Sequence, residues 1–107
     1  MKFVNRGYLL ITPTKTFIDW ANTQSPELPL DAEFVEGNVY LIEEDFLETE
    51  PILEANFKKI FKNELEAVTE DEEQWPEKLT MELFLSFFTW EMGTTVFDLQ
   101  KTDLNRD

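Results

Sequence analysis

Residues 79–99, LTMELFLSFFTWEMGTTVFDL, change their hydrophobic period halfway, and this limits the fold more than any other stretch. In the first half, Met81, Phe84, Leu85 and Phe88 recur at i, i+3, i+4 and i+7, which is one face of a helix. Leu83, Phe87 and Trp90 add a second stripe, so the helix must be buried on more than one side. From Thr89 onward, threonine, valine and aromatic residues suit a strand, where a stiff χ1 costs little. Trp90 and Met92 share one phase of that strand, and Phe97 and Leu99 share the other. Either both faces are covered, or one residue inserted near Gly93 and Thr94 returns Thr95, Phe97 and Leu99 to the face of Trp90 and Met92. The bulge is the preferred arrangement, because glycine suits such a kink. A hairpin turning at Gly93 is the alternative. The rings are read as core, since few polar groups converge on them as a cofactor site requires.

The preceding chain supplies what covers this stretch. Residues 7–12 read as a strand in which Tyr8, Leu9, Leu10 and Ile11 leave neither phase polar, so both faces are expected to be covered. Pro13 ends it, having no N–H for the ladder. A short helix follows over residues 14–22, with Phe17, Ile18, Trp20 and Ala21 inward and Thr14 or Thr16 as its cap. Thr16 and Asp19 resemble a capping box, and Lys15 and Asp19 are polar neighbours at i and i+4. Residues 23–29 form a loop. Residues 31–36 suit one helical turn, capped by Asp31, with Phe34 inward and Gly37 stopping it. Residues 39–42 make a second two-sided strand. Joined to the first through a helix, it suggests a parallel βαβ unit with a right-handed crossover.

A long helix is expected over residues 49–68, capped by Thr49, with Pro51 in its first turn. Leu53, Phe57, Ile60, Phe61, Leu65 and Val68 make its core stripe, and Glu54, Lys58, Lys62 and Glu66 its outer face. Glu43, Glu44, Asp45, Glu48 and Glu50 cluster near the positive end of its dipole. They lack the alternating ligands and glycine of a calcium loop, so no metal is expected there. Residues 70–74 form an acidic loop that charge alone would leave mobile, and Trp75 is expected to pin it onto the core. After Leu99 the chain is polar, and residues 101–107 are expected to fray.

The chain of 107 residues is long enough for one domain with one core, and its net charge is −14. That charge argues against direct nucleic-acid binding and against anionic membranes. No Lys or Arg occurs between Lys15 and Lys58. Cysteine and histidine are absent, which removes disulfides, thiolate nucleophiles, the usual zinc ligands and a histidine base. No segment approaches the length of a membrane span, and the N-terminal apolar run is too broken for a signal peptide. A cytoplasmic protein without a cofactor is the expectation.

Chemistry would have to use carboxylates, lysines, hydroxyls or tyrosines. Glu91 and Asp98 flank the last strand and Asp19 lies on the first helix, but their spacing does not show that they meet. Neither a glycine-rich phosphate loop nor a nucleophile elbow is present, so catalytic residues stay unassigned. Lys15, Asp19, Trp20, Trp75, Trp90 and Glu91 are the candidate binding residues.

The pattern Thr12-Pro13-Thr14-Lys15, Phe17, Asp19-Trp20, Val39-Tyr40-Leu41-Ile42, Trp75-Pro76, Phe84, Phe87-Phe88 and Val96-Phe97-Asp98-Leu99 resembles a family of small acidic bacterial α/β proteins of unassigned activity. The resemblance covers most of the chain and implies a compact cytoplasmic α/β domain. Members often carry a histidine at or beside the position of Gly93, which this sequence lacks.

The sequence thus predicts an α/β domain, or α+β, of order β-α-β-α-α-β with at least three strands. The last strand is open to antiparallel placement. The leading functional expectation is a non-catalytic interaction module whose acidic face docks a basic protein. The alternatives are a small enzyme or ligand-binding domain working through carboxylates, and a nucleic-acid mimic. So small a sheet has two edges to protect, and a homodimer is one solution.

Overall fold

The computed structural model describes residues 1–27, 29–31 and 35–104. In chain order these form β1 (Lys2–Val4), β2 (Gly7–Pro13), α1 (Lys15–Gln24), β3 (Asn38–Ile42), α2 (Glu50–Glu66), α3 (Met81–Phe87), β4 (Phe88–Gly93) and β5 (Val96–Asp98). The result is a mixed α+β domain in which every strand pair is antiparallel.

The run of apolar residues in β2 places it at the centre of a three-stranded sheet, between β3 and β4. The pairing of β2 with β3 corrects the parallel βαβ expectation. The chain re-enters the sheet beside the far end of β2, with Asn38 opposite Ile11 and Ile42 opposite Gly7. A strand apolar on both phases carries no information about direction, and residues 25–37 supply enough chain to reach either end. Gly37 lets the two backbones close there. A Cβ on it would lie 2.8 Å from both the Ile11 carbonyl and the Thr12 hydroxyl. Of the helical turn expected over residues 31–36, Ala32, Glu33 and Phe34 lie outside the described residues, and Val35 to Gly37 are not helical.

Register puts Leu9, Ile11, Tyr40, Ile42, Phe88, Trp90 and Met92 on one face of the sheet, and the buried members of this row meet the helices. The other face carries Tyr8, Leu10, Val39, Leu41 and Glu91. It was expected to be covered, yet Val39 is 61% and Leu41 45% exposed. Against the core face, Phe61 of α2 meets Phe84, Phe87 and Phe88 edge-on, with ring centroids 5.5 to 5.8 Å apart. Phe17 of α1 adds Phe87 and Phe88 at 5.7 and 5.0 Å. Each such pair adds about 0.5–1.5 kcal/mol beyond the area it buries.

The α2 stripe buries Leu53, Ile60, Phe61 and Leu65 as read from the sequence, and also Ile52 and Glu64. Phe57 and Val68 lie at its margin, half-buried. On α3, Leu85 faces out although its spacing placed it in the stripe: this helix of two turns buries Phe84 and Phe87 and packs Met81 and Leu83 at the core's margin. Thr80 caps α3 by accepting from the Leu83 N–H at 3.1 Å. Thr14 and Thr49 precede α1 and α2, but neither side chain makes a cap bond. The Thr14 hydroxyl instead donates to the Ser86 and Phe87 carbonyls at the end of α3. Thr16 lies within α1 and caps nothing.

The last strand neither turns at Gly93 nor bulges where expected. It runs on from β4 into β5, which pairs with β1, a strand too short to be read from sequence. Between the pairs Tyr8–Gly93 and Val4–Val96, one arm holds Asn5, Arg6 and Gly7 and the other only Thr94 and Thr95. The extra residue therefore belongs to the N-terminal arm. Gly7 permits it, since a Cβ there would lie 2.8 Å from the carbonyls of Glu43 and Gly93. Phe97 and Leu99 stay exposed, and Phe97 packs edge-on against Phe3 at 5.7 Å. Beyond β5, Lys2 donates to the Thr102 carbonyl at 2.8 Å, which holds the described tail against β1.

Candidate functional site

Glu64 is the single charged side chain buried among the described residues, at 5% exposure. It follows Ile60 by one turn of α2 and so points with the core stripe, toward the end of β3. Two β3 side chains meet it there. The Tyr40 hydroxyl donates to Oε2, and Asn38 Nδ2 donates to the same oxygen at 2.8 Å. Asn63 donates in turn to the Tyr40 oxygen at 2.9 Å. Burial, and then the bond to Glu64, push the Tyr40 phenol well above its ordinary titration range, so it remains a donor.

Both bonds fall on Oε2. Every fully buried polar side-chain atom among the described residues has a partner, so Oε1, which has none, is still reached by solvent. Glu64 lines a cavity of about 340 Å³ between α1, the end of α2 and the loop after α1. That volume is at the lower end for ligand sites. Pro13, Phe17, Ala21, Val35 and Val68 make its apolar walls. Glu27 and Glu36 add two further carboxylic side chains, and no Lys or Arg lines it among the described residues. The loop wall is fixed to α1 by a two-pronged clamp. Asn22 accepts from the Leu30 N–H at 2.6 Å and donates to the Leu30 carbonyl at 3.2 Å.

The candidate residues read from sequence lie elsewhere. Lys15 and Asp19 form an exposed ion pair at 3.0 Å on α1. Trp20 packs half-buried on Phe17 and Phe87, at 5.8 and 6.0 Å. Trp75 is half-buried and its indole donates to the Thr69 carbonyl at 2.9 Å, which fixes the acidic loop onto the end of α2. That loop is not held by charge alone. Residues Glu72–Gln74 form a 3-10 turn capped by Asp71. Trp90 lies on the core face of β4, and Glu91 points from the opposite face. None of the six lines the Glu64 cavity. Glu64, Tyr40, Asn38 and Asn63 were not singled out from sequence. The available signal was a carboxylate inside the α2 stripe, four residues after Ile60.

Among the described residues no cluster of acids is arranged to hold a metal ion, and no helix is long and apolar enough to cross a membrane. No protein-family model matches the chain, and neither a curated protein nor a solved structure shows significant similarity to it.

Proposed function

We propose that this protein is a non-catalytic interaction module that docks a basic protein partner through its acidic surface. The observation that carries this reading is the exposed run after β3. Glu43, Glu44, Asp45 and Glu48 are all exposed, and none forms an ion pair among the described residues. Glu70, Asp71, Glu72 and Glu73 add a second exposed acidic segment. Carboxylates left unneutralised on a chain of charge −14 steer cationic partners and repel anionic ones.

The test is retention of basic proteins from a lysate of the source cells on the immobilised chain, with a parallel column carrying Glu43, Glu44 and Asp45 changed to Lys. A partner held at low salt, shed at high salt and lost on the charge-reversed column is the expected result. Salt-insensitive retention, or equal retention on both columns, overturns the electrostatic docking.

A second copy of this chain is the other reading, favoured by the uncovered sheet face. Val39 and Leu41 present exposed apolar surface there, and Phe3 and Phe97 do so on the β1–β5 ribbon.

A further inference from the structure

We infer that the cavity beside Glu64 seats one aliphatic cation, a lysine or arginine side chain carried by the docked partner, with its charge at Oε1 and its stem against Phe17 and Val68. The inference rests on the docking reading and names the chemistry of one contact within it. Three observations converge. Glu64 is 5% exposed, yet among the described residues only its Oε2 has protein donors. The cavity that Glu64 lines is otherwise mainly apolar, so it favours a ligand with a hydrocarbon stem. Its other charged lining residues among those described, Glu27 and Glu36, are acidic, so an anion is repelled.

A neutral apolar ligand is disfavoured as well. It would strip solvent from Oε1 and offer no donor in return, which is the costly half of a hydrogen-bond exchange. An ammonium or guanidinium group replaces the lost water with a charge-assisted bond. The donors on Oε2 come from β3 and hold the carboxylate in place before any ligand arrives. The Asn22–Leu30 clamp likewise holds the opposite wall. The seat is therefore preformed, and little ordering is needed on binding.

The test is a chemical-shift titration of the isotope-labelled full chain with n-butylammonium, n-propylguanidinium, n-butanol and a capped Ala-Lys-Ala peptide. The two cations and the peptide are expected to move the amides of Ala21, Ala67 and Val68, while butanol does not. Glu64→Gln should weaken the cations by about tenfold or more. Contacts between probe methylenes and the Phe17 ring, read by nuclear Overhauser effects in the unmodified chain, keep the test decisive if Glu64→Gln does not fold. Shifts confined to Glu43, Glu44, Glu72 and Glu73, or equal binding of butanol, overturn the seat. Binding of free cations with refusal of the peptide overturns the side-chain source. Salt-labile retention of a basic partner that Glu64→Gln leaves unchanged overturns the seat and leaves the docking standing. Seating of the peptide lysine with no basic protein retained supports the seat and overturns the docking of a resident partner.

Discussion

Tyr40 on β3 donates its phenolic hydrogen bond to Oε2 of Glu64 on α2, tying an edge strand of the sheet to the helix that covers it. With the Asn38–Glu64 and Asn63–Tyr40 bonds, it adds direction to the packing of Ile42, Ile60 and Phe61 between the two elements. Tyr40→Phe should therefore destabilise the fold by about 1–3 kcal/mol, because among the described residues the carboxylate keeps only its Asn38 donor. Urea unfolding of the two proteins at neutral pH checks this, and an unchanged midpoint would mean that water replaces the phenol without loss.

The same pair sets an alkaline limit. The Tyr40 phenol is raised in the folded state, chiefly by burial and then by its bond to Glu64. Above the ordinary tyrosine value of about 10, the unfolded chain gives up this proton while the folded chain keeps it. The folded state then binds more protons, so the contribution is complete below that pH and declines as pH rises beyond it. The stability gap between wild type and Tyr40→Phe should narrow progressively in that window. Urea midpoints measured from about pH 8 to about pH 11 test the sign. A constant gap would show that Tyr40 ionises alike in both states.

Packing on α2 ranks three substitutions. Phe61 is fully buried among three other rings, and Phe61→Ala should cost about 3–5 kcal/mol. Phe57 touches Phe84 at 5.9 Å but is only half-buried, so Phe57→Ala should cost about 1–2 kcal/mol. Lys58→Ala on the exposed face should stay under about 0.5 kcal/mol. Thermal unfolding of the three variants gives the order, and equal losses at Phe61 and Lys58 would mean a rotated helix.

The order of the three helices and of β2, β3 and β4 was legible because apolar periodicity is local, whereas β1 is too short to carry such a signal. The direction of β3 was not legible, since Tyr8, Leu9, Leu10 and Ile11 look alike to a parallel or an antiparallel neighbour. The bulge was misplaced for a related reason. Gly93 suggested it, but the Cβ clash at Gly93 is with the Tyr8 ring, whereas at Gly7 it is with two backbone carbonyls. Of the candidate site, only the general acidity was readable. Glu64 is one acid among twenty-three, and its role depends on Asn38 and Tyr40, which reach it from a distant part of the chain.

Those two glycines make a prediction of their own. At Gly93 a side-chain ring can swing aside, whereas at Gly7 the backbones of two neighbouring strands must separate. Gly7→Ala should cost about 1–3 kcal/mol and Gly93→Ala less. Chemical denaturation of both variants measures the difference, and the reverse order would place the strain in the wrong arm of the ribbon.

The uncovered sheet face and the acidic surface respond to salt with opposite signs. Added salt screens repulsion between two copies of charge −14 and should raise the mass seen by light scattering, while it weakens docking of a basic partner. Leu41→Lys on that face should hold the chain monomeric. A monomer mass at high concentration and high salt would remove the homodimer.

The position of β2 at the middle of the sheet bears on how the chain is made. One neighbour, β3, follows it closely, but the other, β4, is separated from it by most of the described chain. During synthesis Leu9 and Ile11 leave the ribosome long before Trp90 and Met92, their partners in register. A growing chain therefore holds an unpaired apolar strand edge until its last elements emerge, and pairing across so long a separation is slow. Carboxylates are dense along the intervening segment, and like charge of this kind opposes association of neighbouring chains during that wait.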